Sequence, residues 1–255
     1  MIQFFSPLEQ FEIIPLISIY LNVLDFSITN EVVILSLIFF FVYSLFIFST
    51  KTETSSFYII PHRWQIIVEG IYGMVLSMIN DNIASKKGQY FLPLVFSIFC
   101  FILYLNLIGL VPYSFTLTSH LIVTFAIALF IFIGINIICV QIHGLNFFSL
   151  FLPGGTSFVL ALLLVPIELI SFVFKPISLA IRLFANMMAG HTLLKVIAGF
   201  AWSLAGCTGI LFFVHYVPIL ILIPLFGLEL GVALIQAFVF SILTCIYLND
   251  SINLH

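Results

Sequence analysis

Charge is scarce in this chain. Asp, Glu, Lys and Arg make up 7% of its 255 residues, whereas a soluble domain carries about a quarter. Together with 63% hydrophobic residues, that scarcity excludes a soluble globular protein and leaves an integral membrane protein. The only arginines are Arg63 and Arg182, so the place of each is informative. A net charge of −3 excludes a basic nucleic-acid surface. Paired cysteine spacing is also missing. Cys100, Cys139, Cys207 and Cys245 stand singly in apolar segments and read as small hydrophobes, not as zinc ligands or disulfide partners. No GxxxxGKS/T loop is present, so no nucleotide site of that type is expected. No metal or cofactor is expected either. The opening MIQFFSPLEQFEIIP has neither a basic n-region nor an Arg-rich character, so it does not read as a secretory signal or a transit peptide. Direct co-translational insertion, or synthesis inside the organelle that uses the protein, is expected instead.

What the chain does have is long apolar runs, and they predict an all-α integral membrane protein. Residues 1–30 hold Glu9, Glu12, Asp25 and Pro15 with no lysine or arginine, and read as an interfacial segment of a single membrane domain, 1–255. Residues 31–49 form an apolar run of about the length a helix needs to cross the hydrocarbon core. A polar loop follows. In 64–84, Trp64, Ile67, Ile71, Val75, Met78 and Ile79 recur at helical spacing while Glu69, Asn80 and Asp81 interrupt. That pattern predicts an amphipathic helix lying on the membrane surface. Residues 91–111 and 120–140 predict a transmembrane hairpin. Two longer stretches come last, 157–204 and 209–248. At 1.5 Å per residue these reach about 72 and 60 Å, roughly twice the hydrocarbon thickness. Each is either folded into two spans or strongly tilted, since Pro166 and Pro176 are as able to kink a helix as to end it.

Lys51, His62, Arg63, Lys86 and Lys87 all fall between the first and second spans. The positive-inside rule then puts that region on the cytoplasm-equivalent side, the N-terminus outside and, after five crossings, the C-terminus inside.

Five ionisable residues interrupt the last two stretches away from their ends: Glu168, Lys175, Arg182, His191 and Glu229, with Lys195 nearer an end. A central charge costs on the order of 2.5–3.5 kcal/mol on insertion scales, which makes each one a functional candidate. Glu168, Lys175 and Arg182 are seven apart, a spacing that drifts only about 20° around a helix. Asn186 extends their stripe, whereas His191 points about 180° away from Arg182. Glu229 and Gln236 share a face on the last stretch. Gly227 and Gly231 bracket the glutamate as GLELG, a small-xxx-small pattern expected to admit a neighbouring helix. Arginine stays charged when buried, while carboxylates and histidine can be tuned to pass protons. A fixed positive charge beside titratable groups suits a proton path with a barrier that does not leak. A secondary transporter would call for paired broken helices in an internal repeat, and none is visible. A plain membrane anchor leaves the charge stripe unexplained.

PIELISFVFKPISLAIRLFANMMAGH and LELGVALIQAFVFSILTCIYL, together with SPLEQFEI, NLIGLVPYSF and FFSLFLPGGT, closely resemble subunit a of the rotary F-type ATP synthase over nearly the whole chain. The arrangement of His191 and Glu229 resembles the mitochondrial version, because bacterial members tend to exchange the two residue types. The resemblance implies that the last two stretches form one strongly tilted hairpin packed against a ring of c subunits. It implies that Arg182 faces the essential c-ring carboxylate and separates two aqueous half-channels, with Asn186 and Gln236 beside it. His191 and Glu229 would line the half-channel open to the intermembrane space, and Glu168 the one towards the matrix. Its implied partners are the c-ring, subunit b of the peripheral stalk, other small membrane-sector subunits, the lipid bilayer of the mitochondrial inner membrane and the translocated protons. Nucleic acid is not among them.

Overall fold

The computed structural model describes residues 8–21, 24–50, 63–83, 86–111, 114–144, 147, 158–206 and 214–252. Six α-helices dominate these residues: α1 (Asn30–Thr50), α2 (Arg63–Asn82), α3 (Leu92–Gly109), α4 (Leu121–His143), α5 (Phe158–Ala205) and α6 (Tyr216–Ile252). Among the described residues four segments have the length and hydropathy of a span: Gly88–Gly109, Leu121–His143, Leu162–Ala205 and Tyr216–Ile252. The fold is that of an all-α integral membrane protein. The polar loop expected after the first span, with Lys51 and His62, lies outside the described residues, as do Cys207 and most of FFSLFLPGGT.

Upstream of α1 the N-terminal segment, expected to be interfacial, forms short antiparallel strand pairs. Strand β1 (Pro15–Ile17) pairs antiparallel with β4 (Ile28–Thr29), and β2 (Tyr20–Leu21) with β3 (Leu24–Asp25). Asn30 locks the base. Its side-chain amide donates to the Glu12 carbonyl at 3.1 Å, and its side-chain oxygen accepts the Ile14 and Glu31 amides. The last of these bonds satisfies an orphan donor at the start of α1.

α5 is one helix of 48 residues with Pro166 and Pro176 inside it, and α6 one of 37 with Pro224 inside. Neither is divided into two spans. A proline removes one ladder hydrogen bond, whereas a full break would strand several backbone groups where lipid offers no partner. Continuing the helix is the cheaper solution. At 1.5 Å per residue α5 is about 72 Å long, too long to stand upright in a ~30 Å core. The expected start at 209 lies outside the described residues; α6 is described from Tyr216 and runs on to Ile252, past the expected 248. Its polar end is held in place: His143 Nε2 lies 3.0 Å from the Ser251 carbonyl and 3.2 Å from that of Ile252, capping a helix C-terminus that otherwise leaves its last carbonyls unpaired.

Contacts sort the chain into two compact units. The first gathers Met1–Ser44, Phe101–His120 and Leu183–Gln236. In it Phe39 and Phe41 of α1 meet Phe101 and Tyr104 of α3 at ring distances of 5.9 and 5.8 Å. Leu110, Met187 and Ala233 form a buried cluster. The second gathers Leu45–Cys100, Leu121–Arg182 and Ala237–His255. Here α2 buries Val75, Met78 and Ile79, and its Tyr72 meets Phe96 of α3 at 6.1 Å. Arg63, Glu69 and Asp81 on the same helix are exposed, which gives α2 its amphipathic character. Phe132 of α4 packs on Phe172 of α5 at 4.8 Å.

Candidate functional site

Most polar side chains in the apolar helices are silenced locally. Ser241 and Thr244 are fully buried, and each hydroxyl donates to the carbonyl four residues back, at 2.9 Å. This is how a membrane helix accommodates a hydroxyl without a partner helix. Glu229 is handled differently. It is 9% exposed, and neither carboxylate oxygen has a hydrogen-bond partner. Burying such a group unpaired costs several kcal/mol. Among the described residues of α6, Glu229 thus stands apart from the hydroxyls that are satisfied within the helix.

Glu229 is accommodated by a glycine on the other long helix. A Cβ built at Gly190 would run into Glu229 Oε1 and lie 3.0 Å from Cδ and 3.1 Å from Cγ. Gly190 therefore provides the space the carboxylate occupies. His191 follows directly, half-buried, with its Nε2 shielded and without a hydrogen-bond partner. Glu229 thus leans on the residue that precedes His191, and neither its carboxylate oxygens nor His191 Nε2 has a hydrogen-bond partner. Asn106 of α3, fully buried, donates to the Ala233 carbonyl of α6 at 3.3 Å, one turn along from Glu229. Gln236 is also buried, at 5% exposure.

Gly227 and Gly231, the small residues expected to admit a neighbouring helix, make no such contact among the described residues. Among the described residues nothing lies within 4 Å of a Cβ built at Gly227 or Gly231, so no described helix of this chain comes close at GLELG. The approach is made at Gly190. The GxxxG pattern marks a face that tolerates contact, not one that has it.

A cavity of about 1200 Å³ opens beside His191. Its wall includes Glu9, Gln10, Glu12, His191, Lys195 and Trp202, with aliphatic side chains between them.

The charged stripe of α5 divides by exposure. Arg182 and Asn186 are exposed on the surface of the chain, while Glu168 and Lys175 are half-buried. In the second unit Lys175 Nζ lies 3.6 Å from Asp250 Oδ2 and 5.0 Å from the centre of the Tyr247 ring. Tyr247 is within electrostatic reach of both Arg182 and Asp250. Lys175 is therefore paired with Asp250 and lies over the Tyr247 ring. Sequence reasoning missed Asp250, Tyr247, Asn106 and Gly190. The seven-residue spacing that singled out Lys175 carried a signal for a partner, but nothing in the sequence says which residue of α6 reaches it.

Residues 32–249 match a model of the family described as ATP synthase A chain. The chain is 56% identical over 256 residues to ATP synthase subunit a of Pylaiella littoralis, covering 99% of this chain and 100% of that one. It is 50% identical over 252 residues to ATP synthase subunit a of Marchantia polymorpha, covering 98% and 99%. With ATP synthase subunit a of Chondrus crispus it shares 48% over 250 residues, covering 98% and 97%.

Proposed function

The chain belongs to the ATP synthase A chain family, and from that membership we propose that it is the stator subunit that loads and unloads protons on a rotating c-ring through two offset half-channels. It is a proton-translocating membrane subunit of the ATP synthase and not its catalytic subunit. Its partners are the c-ring and other subunits of that complex, in our reading including subunit b of the peripheral stalk. Its membrane is the mitochondrial inner membrane, with the N-terminus to the intermembrane space and the C-terminus to the matrix.

A proton reaches His191 and Glu229 from the intermembrane-space side and neutralises a c-ring carboxylate. The neutral site rotates into lipid. After nearly a full turn it releases the proton on the matrix side near Glu168 and faces Arg182, whose permanent charge favours the carboxylate and blocks a direct leak. Asn186 and Gln236 flank that position. Each crossing yields about 2.3 kcal/mol per 100 mV of potential, which biases rotation.

The observation that carries this reading is Glu229: nine-tenths buried, unpartnered at both oxygens and seated against the residue that precedes His191. The exposed position of Arg182 on α5 supports a partner outside the chain for its face. Affinity purification from detergent tests the assignment. The c-ring and soluble ATPase subunits should copurify with this chain, and their absence from an otherwise intact preparation contradicts it.

A further inference from the structure

Resting on that reading, we propose that Glu9 and Glu12 of the N-terminal segment form the mouth of the proton-uptake cavity and act as its proton-collecting carboxylates. No motif of the long hairpin includes them; the SPLEQFEI stretch that holds them carried the family resemblance but no site role. The cavity brings them into the site. A single space of about 1200 Å³ is bounded by Glu9, Gln10 and Glu12 and also by His191 and Lys195.

The segment is fixed in that wall. The Asn30 side chain ties Glu12 and Ile14 to the start of α1, at 3.1 and 3.3 Å. The Asn30 amide returns a bond to the Ile14 carbonyl at 3.2 Å, and the β1–β4 ladder follows directly. Glu12 is thus anchored through its own backbone while its carboxylate is exposed. Two polar atoms in the same wall, Gln10 Nε2 and His191 Nε2, are shielded and unpartnered.

Position along α5 orders the groups. Trp202 and Lys195 lie between His191 and the end of the helix, so a proton arriving from the helix end passes them before reaching the imidazole. Carboxylates at the mouth raise the local proton concentration in a low-dielectric cleft. Lys195, the cation that lines the cavity beyond them, disfavours metal cations, while a proton passes along water to neutral His191. Among the described residues the titratable and charged groups lining the space are Glu9, Glu12, His191 and Lys195. Collection and selection therefore fall to different elements of the fold.

The test uses the complete ATP synthase in vesicles, with proton flux driven through the complex towards the side where the c-ring unloads. At low ionic strength and proton-poor pH on the uptake side, the double variant Glu9→Gln/Glu12→Gln should lose about threefold or more of the flux, within the range known for electrostatic focusing. Glu9→Asp/Glu12→Asp should retain it. At about 1 M salt, where the screening length is about 3 Å, wild type and the Gln variant should converge. Equal flux of the two at low salt overturns the proposal. Should the Gln variant fail to assemble, Glu12→Cys with a cationic, membrane-impermeant thiol reagent supplies the same answer: slower flux supports the mouth, and unchanged flux after complete labelling overturns it. Glu229→Gln in the same vesicles separates the two levels. Flux lost there but not in the Gln pair overturns the mouth alone, whereas flux lost in neither overturns the reading of the whole chain.

Discussion

The carboxylate of Glu229 occupies the space that a side chain at Gly190 would need. A methyl group at 190 would stand 3.0 Å from Cδ and 3.1 Å from Cγ, tighter than van der Waals contact allows. Glu229 is therefore positioned by the backbone of α5 and not by a hydrogen bond, and the residue it leans on adjoins His191.

Gly190→Ala sets two effects against each other. Helix propensity favours alanine by roughly 1 kcal/mol, while overpacking costs about 1–3 kcal/mol. The expected result is a displaced carboxylate, with ATP-driven proton pumping reduced roughly tenfold or more, since a shift of about 1 Å at a reacting group is that damaging. Gly190→Ala/Glu229→Asp should recover part of the flux, because shortening the side chain withdraws the outer oxygen that the new methyl would run into, although a contact at Cγ, 3.1 Å in the wild type, remains. Vesicle acidification followed by a fluorescent dye reads both variants.

Glu229→Gln keeps the volume and the buried polar character but removes the titratable proton. Proton flux should fall on the order of 10²-fold, the scale of a positioned acid–base group, with the complex still assembled on native gels. Unchanged flux removes Glu229 from the path.

Lys175 and Asp250 are a partly exposed pair at 3.6 Å, so their mutual stabilisation is expected to be under about 1 kcal/mol. A double-mutant cycle of Lys175→Met and Asp250→Asn on the thermal stability of the purified complex should return a coupling of that size. A much larger coupling would mean that the pair is closed off from solvent in the assembled complex.

The sequence made the helices legible because apolar runs of this length have few other uses, and it made Glu229 and His191 legible because charge and imidazole are costly there. It left the two long stretches undecided, since Pro166 and Pro176 fit both a kink and a break. The structure resolves this in favour of the kink-tolerant helix. Gly190, Asp250 and Asn106 were out of reach for a common reason. Each matters through the register of one helix against another, and register is not written in the periodicity of either helix alone. The GLELG glycines show the converse, because a pattern that permits close approach was present where no described helix of the chain approaches. The N-terminal hairpin was also hidden, its strands being only two or three residues long, too short for alternation to show.

The central claim is that a permanent charge at residue 182 separates proton uptake from proton release, and Arg182→Ala tests it most directly. With the variant complex assembled in membranes, ATP-driven proton pumping should be abolished. Arg182→Lys should fail as well, because an ammonium can lose its proton when desolvated and lacks the planar fork of the guanidinium. Normal ATP-driven pumping by the Arg182→Ala complex would contradict the account.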